Sequence, residues 1–346
     1  MALALLFTCD MAGAATVDLY RDELPVVDQS LATRRPAFAL ALQHVLLRLS
    51  GSAPDLTSPP IAAAVQQAQR YVQRFEYRAV TPKQGEQDST GSLLDVRFDP
   101  KAIDALAQRA GLPAWSAQRP DLVVWLALDD GQGRRLVSES DRSLVHAFID
   151  RAKLRGLPVL FPLLDLEEQQ AISVAEVWGG YTQRLIALSR RYGAQGVLVG
   201  RIFPVPHGQW SVRWDLSEGG RPDYWSMIVR GDLDAALEQA ADRAADAMAQ
   251  RYAVREINQP QGRYHLLVDG VTQLSEMSAV QAYLDGLSAV SNTMPVRLHG
   301  NTIEYALDLT GSVEQLVNVL SFSDVLEPAD VAFVDMNGVL HARLRP

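Results

Sequence analysis

Two apolar runs without polar alternation, at residues 122–128 and 194–201, stand between segments of helical periodicity. A run that is apolar at every position has no solvent-facing side, so both runs are predicted to be strands buried on both faces of a sheet. Between them the pattern predicts a helix that ends at Gly156, a strand at 157–164 and a helix over 174–192. This alternation of strands and helices is typical of an α/β layer.

The first hundred residues have a different pattern. Apolar residues at helical spacing over 38–49 predict a long amphipathic helix. Alternation at 17–21, 71–77 and 93–98 predicts strands with one solvent-facing side, and 25–28 reads as a turn. These elements indicate an α+β domain.

Beyond the buried runs, residues 210–216 and 224–230 alternate and are predicted to be an antiparallel hairpin. An alanine-rich stretch over 233–252, capped by Asp232, is predicted to be a helix that lies close to the sheet. Residues 258–262 then read as a linker.

The last part of the chain predicts the order βαββαβ, a ferredoxin-like split unit. The predicted strands and helices are 264–268, 275–287, 294–298, 303–309, 312–320 and 338–344. The expected fold class is therefore α+β and α/β multidomain, with a central α/β sheet domain followed by a ferredoxin-like module. The predicted divisions are 1–15 for a signal peptide, 16–118 for the N-terminal domain, 119–257 for the central domain and 263–346 for the C-terminal domain.

Residues 2–7 are apolar and residues 11–15 are small, as in the end of a secretory leader. A positively charged start is missing, so an upstream start, an atypical leader and a buried N-terminal segment remain alternatives. Cys9 is the single cysteine, and its lipidation is a further alternative. No later apolar run approaches the length of a membrane span. We therefore expect a soluble periplasmic product without thiols.

The formal charge of −9 and the absence of a concentrated basic run argue against nucleic-acid binding. The six histidines are scattered singly, and the sequence contains no metalloprotease motif, P-loop or nucleophile elbow. Residues 131–133 lack the third glycine of a dinucleotide site. We therefore predict no catalytic residue, no metal and no cofactor, and a protein that is not an enzyme.

Carboxylates follow two of the central strands, at Asp129, Asp130 and Asp165. Ligands of open α/β sheets bind at that edge, so these residues are candidate binding residues. Aspartate is also a frequent turn and cap residue, and this structural explanation is the favoured one.

Trp178, Gly179 and Gly180 form the second candidate site, read as a tryptophan before two glycines at the start of a helix. An aromatic ring beside acidic neighbours suits a protein or peptide contact. The alternative is that the ring of Trp178 closes the top of the core.

Several stretches together resemble an uncharacterised family of proteobacterial envelope proteins, the domain of unknown function 2066. They are LYRDELPVVDQ (19–29), VRFDP (96–100), GLPAW (111–115), RPDLVVWLAL (119–128), LPVLFPLLDLE (157–167), VWGG (177–180) and RYGAQGVLVGR (191–201). The resemblance implies no established activity. More loosely, the central domain resembles the N-terminal domain of the TolB translocation protein, a binding and scaffolding part.

Two classes of function follow. The first is a non-enzymatic periplasmic scaffold that binds another envelope protein, without nucleic acid. The second is a small-ligand-binding or hydrolytic protein with its site at the strand ends that carry Asp129, Asp130 and Asp165. Convergence of these carboxylates in a concave site would favour the second class.

Overall fold

The computed structural model describes residues 15–79, 92–218, 221–254, 263–287, 289–310, 312–320, 323, 325–329 and 339–345. Helices and strands are mixed along the chain and form four sheets of two, six, five and three strands, so the α+β multidomain fold class is confirmed. Within these residues no helix is long and apolar enough to cross a membrane. The predicted leader and the linker at 258–262 lie outside the described residues.

The N-terminal part packs helices on one face of an antiparallel sheet. Its elements are β1 (Ala15–Thr16), β2 (Arg21–Val26), α1 (Leu31–Ser50), α2 (Pro59–Gln66), β3 (Val72–Ala79), β4 (Ser92–Phe98), α3 (Pro100–Arg109) and β5 (Gln118–Arg119). The sheet order is β2-β4-β3, while β1 pairs with β5. Phe38, Leu42, Val96 and Ile103 lie in its core. The long helix and the β3–β4 pair agree with the hydrophobic pattern.

The strand predicted over 17–21 is displaced in the structure. It corresponds to β2, which excludes residues 17–20 and includes Pro25. The ladder with β4 runs from Arg21 opposite Arg97 to Val26 opposite Ser92. Since β2 is an edge strand, it tolerates a proline that lacks an N–H group. The turn or loop predicted at 25–28 was therefore wrong for Pro25 and Val26, which lie in the strand, while residues 27–28 follow it as a loop.

The middle part contains a six-stranded mixed sheet. Its elements are β6 (Leu122–Asp129), β7 (Arg134–Val137), α4 (His146–Arg155), β8 (Val159–Leu160), α5 (Leu166–Ala171), α6 (Val174–Gly179), α7 (Thr182–Ser189), β9 (Gly196–Val205), β10 (Gln209–Glu218), β11 (Arg221–Arg230) and α8 (Leu233–Tyr252). The strand order is β11-β10-β9-β6-β7, with β8 beside the start of β6. β6 and β9 are parallel and buried, as their unbroken apolar runs predicted.

Two predicted elements of the middle part are interrupted. The helix expected over 174–192 breaks into α6 and α7, because Gly180 adopts a left-handed conformation with φ 74° and ends α6. The strand expected over 157–164 is reduced to β8, since Pro158 and Pro162 flank it and Leu164 has a positive φ of 50°. The Trp-Gly-Gly sequence therefore lies at the end of a helix and not at its start.

The two faces of the middle sheet have separate cores. On one face, α4 and α8 cover Val212, Trp214 and Leu216 of β10. On the other face, α6 and α7 cover Val199 of β9 and Trp125 of β6. The alanines of α8 let this helix lie close to the sheet, as expected.

The C-terminal part follows the predicted order up to its second helix. Its elements are β12 (Arg263–Asp269), α9 (Leu274–Asp285), β13 (Val290–His299), β14 (Thr302–Leu309), α10 (Val313–Leu320), β15 (Leu326–Pro328) and β16 (Leu340–Leu344). In a βαββαβ unit the last strand would run antiparallel to the first, because each connection reverses the chain. Here β15 adds a strand before β16, so β16 runs parallel to β12. The sheet thus departs from the predicted ferredoxin-like topology at its last strand.

A buried arginine joins the N-terminal and middle parts. Arg119 is fully buried, and its guanidinium lies 3.8 Å from the centre of the Trp115 ring. It donates to the backbone carbonyls of Arg48, Trp115, Ser116, Arg155 and Gly156. Carbonyls at the ends of α1 and α4 carry partial negative charge, so a buried cation stabilises both helix ends at this junction.

Candidate functional site

The carboxylates at the end of β6 shape the turn that leads to β7. Asp129 accepts the N–H of Gly131 at 3.0 Å, and Asp130 accepts the N–H of Gln132 at 3.1 Å. The Arg134 Nε lies 4.0 Å from Asp129 Oδ2, so the turn also carries a loose ion pair. Both aspartates are therefore turn residues, the structural explanation that the sequence favoured.

Asp165 belongs to a different set of contacts. It caps α5 by accepting the N–H of Glu168 at 3.0 Å, and it accepts from Arg191 Nη2 at 2.7 Å. The hydrogen bond from Arg191, followed by the backbone bond from Glu168, lowers the pKa of Asp165. None of the five main cavities formed by the described residues is lined by this carboxylate or by those at the end of β6.

Trp178 lies half-buried at the end of α6. Its ring centre is 5.5 Å from that of Phe203 on β9, and the guanidinium carbon of Arg134 lies 4.1 Å from the ring centre. Arg134 thus connects two of the candidate residues, since it contacts both Trp178 and Asp129. A cation over a partly exposed indole is stabilised by about 0.5–1 kcal/mol.

Gly180 allows the backbone to approach a part-buried ion pair between Arg201 on β9 and Asp215 on β10. A Cβ atom at this position would lie 3.0 Å from Asp215 Oδ2 and 3.1 Å from Arg201 Nη1. Arg201 Nη1 also donates to the carbonyl of Trp178 at 3.4 Å. Burial raises the pKa of Asp215, although Arg201 acts in the opposite direction. Gly180 therefore serves close packing on this pair, whereas a Cβ at Gly179 would instead meet the Tyr181 ring at 2.7 Å.

The strands β9, β10 and β11 present a face that the helices leave partly uncovered. Across it, Phe203 stands beside Ser211 and Ile228. One row along the same face lie Arg201, Arg213 and Ser226, and in the next row Asp215 lies opposite Tyr224. We call this side of β9–β11 the outer face, defined by Phe203, Arg213, Tyr224, Ile228 and Arg230.

Large apolar side chains are exposed on the outer face. Tyr224 is 67% exposed and Ile228 is 57% exposed. Arg213 lies 5.5 Å from the centre of the Phe203 ring, and both Arg213 and Arg230 are exposed. Within the described residues neither arginine has a carboxylate within ion-pairing distance. The outer face therefore combines apolar area with two uncompensated cations, on a chain whose net charge is −9.

The outer face continues to a free sheet edge. β11 is the last strand of the six-stranded sheet and spans ten residues from Arg221 to Arg230. Among the described residues no strand pairs with its far side. An unpaired row of N–H and C=O groups is a template for adding a strand from another chain.

Sequence reasoning missed the residues of the outer face. Alternation at 224–230 correctly indicated a strand, but one side was assigned to solvent without a role. The sequence did contain a signal, because both faces of this strand carry apolar residues. Tyr224 and Ile228 lie on one face, and Trp225, Met227 and Val229 lie on the other. A strand that is merely half-buried has polar residues on its solvent side.

Two stretches of the chain match family models. Residues 14–116 match DUF8605, a domain of unknown function. Residues 265–334 match DUF2066. The chain resembles the DUF2066 family. That match lies downstream of the stretches from which the resemblance was inferred, and the looser resemblance to TolB is not confirmed.

The other comparisons add little. A search of curated proteins finds no match. A competence-damaged protein (CinA) superfamily protein from Enterobacter cloacae is 13% identical, with a TM-score of 0.24 over 44% of this chain and 88% of its own. A competence or damage-inducible protein from Enterobacter asburiae is 13% identical, with a TM-score of 0.23 over 43% of this chain and 93% of its own. Similarity at this level carries no argument.

The outer face lies between the two stretches that match DUF8605 and DUF2066. The candidate residues Asp129, Asp165 and Trp178 lie in the same intervening part of the chain. Neither matched stretch covers the outer face or these candidate residues, so only their geometry supports a role for them. For the described residues, no group of three or more His, Cys, Asp or Glu side chains is arranged to hold a metal ion.

Proposed function

We propose that this protein is a non-enzymatic, periplasmic accessory protein of the cell envelope that binds an extended acidic segment of a partner protein. The segment adds to the free edge of β11, and its side chains contact the outer face. Strand addition supplies affinity through main-chain hydrogen bonds and specificity through alternate side chains.

The observation that carries this proposal is the composition of the outer face. Tyr224 and Ile228 are exposed next to Arg213 and Arg230, which have no carboxylate partner in the part of the chain that the structure describes. Exposed apolar groups rimmed by charge are typical of protein-binding surfaces. Unpaired arginines favour a segment that carries aspartate or glutamate, because opposite charge steers encounter and fixes register.

The alternative, a small-ligand or hydrolytic site at the strand ends, has less support. Asp129 and Asp130 accept backbone N–H groups of their own turn, and Asp165 caps a helix. A catalytic site requires polar groups that converge in a concave, partly desolvated space. The contacts of these carboxylates favour a binding protein instead.

A photo-crosslinking experiment tests the surface directly. Benzoylphenylalanine replaces Ile228 in one variant and Glu238 in a matched variant, since Glu238 is exposed on α8 on the opposite side of the same sheet. We expect crosslinks to a partner in the periplasmic fraction from position 228 and none from position 238. Mass spectrometry of the crosslinked peptide should identify an acidic, extended segment.

Reversing the charge of the surface provides the second measurement. Arg213→Glu, made in the position 228 variant, should reduce the crosslinked yield at least about tenfold, because it places like charges in contact. Equal crosslinking from both positions would contradict a specific surface. Crosslinks found only to a second copy of the chain would contradict an acidic partner protein and indicate self-association instead.

A further inference from the structure

A cavity of about 640 Å³ opens where the N-terminal, middle and C-terminal parts meet. Helix α3, the segment before β5 and the loop after α9 contribute its walls. The segment before β5 is fixed on both sides, since the Trp115 N–H donates to the Leu49 carbonyl at 2.8 Å and Ala114 pairs with Val254. Junctions between domains are frequent places for small-molecule sites, and this volume lies within their range.

The floor of the cavity is apolar and rigid. Leu49, Ala107, Trp115, Val254 and Leu287 line it, and each is at least nine-tenths buried. The floor therefore offers an apolar surface to the body of a bound molecule.

The rim carries two carboxylates without cationic partners. Asp104 on α3 accepts the hydroxyl of Tyr20 at 2.8 Å, and Asp285 accepts the side-chain amide of Gln281 at 3.1 Å. In the described part of the chain neither carboxylate has an arginine, lysine or histidine nitrogen within ion-pairing distance. Among the described residues that line the cavity Lys101 is the one cation, and Lys101, Asp104 and Asp285 are all exposed at its rim. The rim therefore holds one excess negative charge.

A second cavity, of about 810 Å³, lies near the same junction and makes a useful contrast. There Arg155 pairs with Asp242 at 2.6 Å and with Asp246, and Arg151 pairs with Asp242 at 2.8 Å. Its charges are mutually compensated, so it offers no unmet partner to a ligand. The first cavity is different, because its two lining carboxylates, Asp104 and Asp285, have no cationic partner within the described residues.

We propose that the first cavity binds a small organic amine, whose ammonium group is held by Asp104 and Asp285 and whose apolar or aromatic body rests on the floor of Leu49, Trp115 and Leu287. A hydrogen bond between an ammonium group and a carboxylate is charge-assisted and about twice as strong as a neutral one. Desolvation raises the pKa of Asp104, while its hydrogen bond from Tyr20 acts in the opposite direction. This site is separate from the outer face and does not depend on the function proposed there.

Calorimetric titration of the full chain with 2-phenylethylamine tests the proposal, with 2-phenylethanol as the neutral probe of nearly the same shape. We expect the amine to bind at least about tenfold more tightly than the alcohol, the factor expected from one charge-assisted hydrogen bond. Affinity should fall as the pH drops through the raised pKa of Asp104, because the carboxylate is then neutral.

Three variants separate charge from shape. Asp104→Asn should lower amine affinity about tenfold and leave the weak affinity for the alcohol unchanged. Ala105→Phe, at a lining position of α3, should abolish binding of both probes by filling the space. Asp150→Asn, at an exposed carboxylate of α4 outside this cavity, should change neither affinity.

The melting temperature distinguishes lost binding from lost folding. The folded pKa of Asp104 is raised, so this group destabilises the fold as the pH rises from the unfolded to the folded pKa, and the full penalty is present above the folded pKa. Asp104→Asn should therefore melt at or above the parent temperature at neutral pH. Equal affinity for amine and alcohol, no amine binding at millimolar concentration, or the same loss in Asp104→Asn and Asp150→Asn would each overturn the proposal.

Discussion

Two of the tryptophan–arginine contacts of this protein lie in different environments. At the junction, the Arg119 guanidinium lies 3.8 Å from the centre of the Trp115 ring, and both residues are buried. Beside the outer face, Arg134 lies 4.1 Å from the centre of the half-buried Trp178 ring. The first cation donates to five backbone carbonyls, whereas in the described part of the chain the second has a loose pair with Asp129. The same kind of contact is therefore buried at the junction and partly exposed beside the outer face.

The largest expected effect comes from the two arginines. Arg119→Ala leaves buried carbonyls at the ends of α1 and α4 without donors, and each unsatisfied group is costly. We expect a loss of at least about 4 kcal/mol in the free energy of unfolding, against about 0.5–1 kcal/mol for Arg134→Ala. Urea unfolding followed by circular dichroism measures both. Similar losses in the two variants would contradict the distinction between the stacks.

Truncating the two rings sharpens the same contrast. Trp115→Ala removes a fully buried ring and should cost about 3–5 kcal/mol. Trp178→Ala removes a half-buried ring and should cost about 1 kcal/mol, while it reduces the crosslinked yield at position 228. Thermal melts and the crosslinking yield report the two properties separately. A Trp178→Ala variant that melts as low as Trp115→Ala would make this ring a core residue.

Much of the architecture could be predicted from the sequence, because burial leaves a direct mark on it. The unbroken apolar runs of β6 and β9 require two covered faces, and the alanines of α8 require a close neighbour. What the pattern did not contain was the left-handed residue that splits α6 from α7, since Gly180 could equally have continued a helix. The strand β15, which changes the direction of β16, is three residues long and too short for periodicity to indicate.

The candidate sites were harder to predict, because they depend on contacts between distant segments. The sequence correctly placed Asp129 at the end of a strand. Its contact with Arg134, and the stacking of Arg134 on Trp178, depend on the tertiary structure. The cavity at the junction is lined by Tyr20, Asp104 and Asp285, which are far apart in the chain. No local spacing brings such residues together, so only the assembled fold could show them.

Two glycines with similar backbone conformations test how closely the chain packs beside the outer face. Gly180 and Gly111 both have positive φ values, 74° and 64°, but an added Cβ at Gly111 meets nothing within 4 Å. Gly111→Ala should therefore cost only the strain of the left-handed region, about 1 kcal/mol. Gly180→Ala should cost about 1 kcal/mol more, because its Cβ displaces the Arg201–Asp215 pair. Equal melting temperatures of the two variants would argue against that contact.

The smallest effect concerns another arginine beside an aromatic ring, where Arg191 lies 5.8 Å from the ring centre of Tyr192 and pairs with Asp165. Because the folded pKa of Asp165 is lowered, its charge stabilises the fold above the unfolded pKa, and this stability is lost as the pH falls through the folded pKa. Asp165→Asn keeps the helix cap, since asparagine caps as well as aspartate, and loses only the charge. Its melting temperature should lie slightly below that of the parent at pH 7, and the difference should vanish in acid. Glu167→Gln, at a neighbouring carboxylate that is 85% exposed and lies 3.7 Å from Arg191, should show a smaller difference at pH 7 than Asp165→Asn. A difference for Asp165→Asn that persists in acid would mean that the cap itself, and not the pairing with Arg191, had been lost.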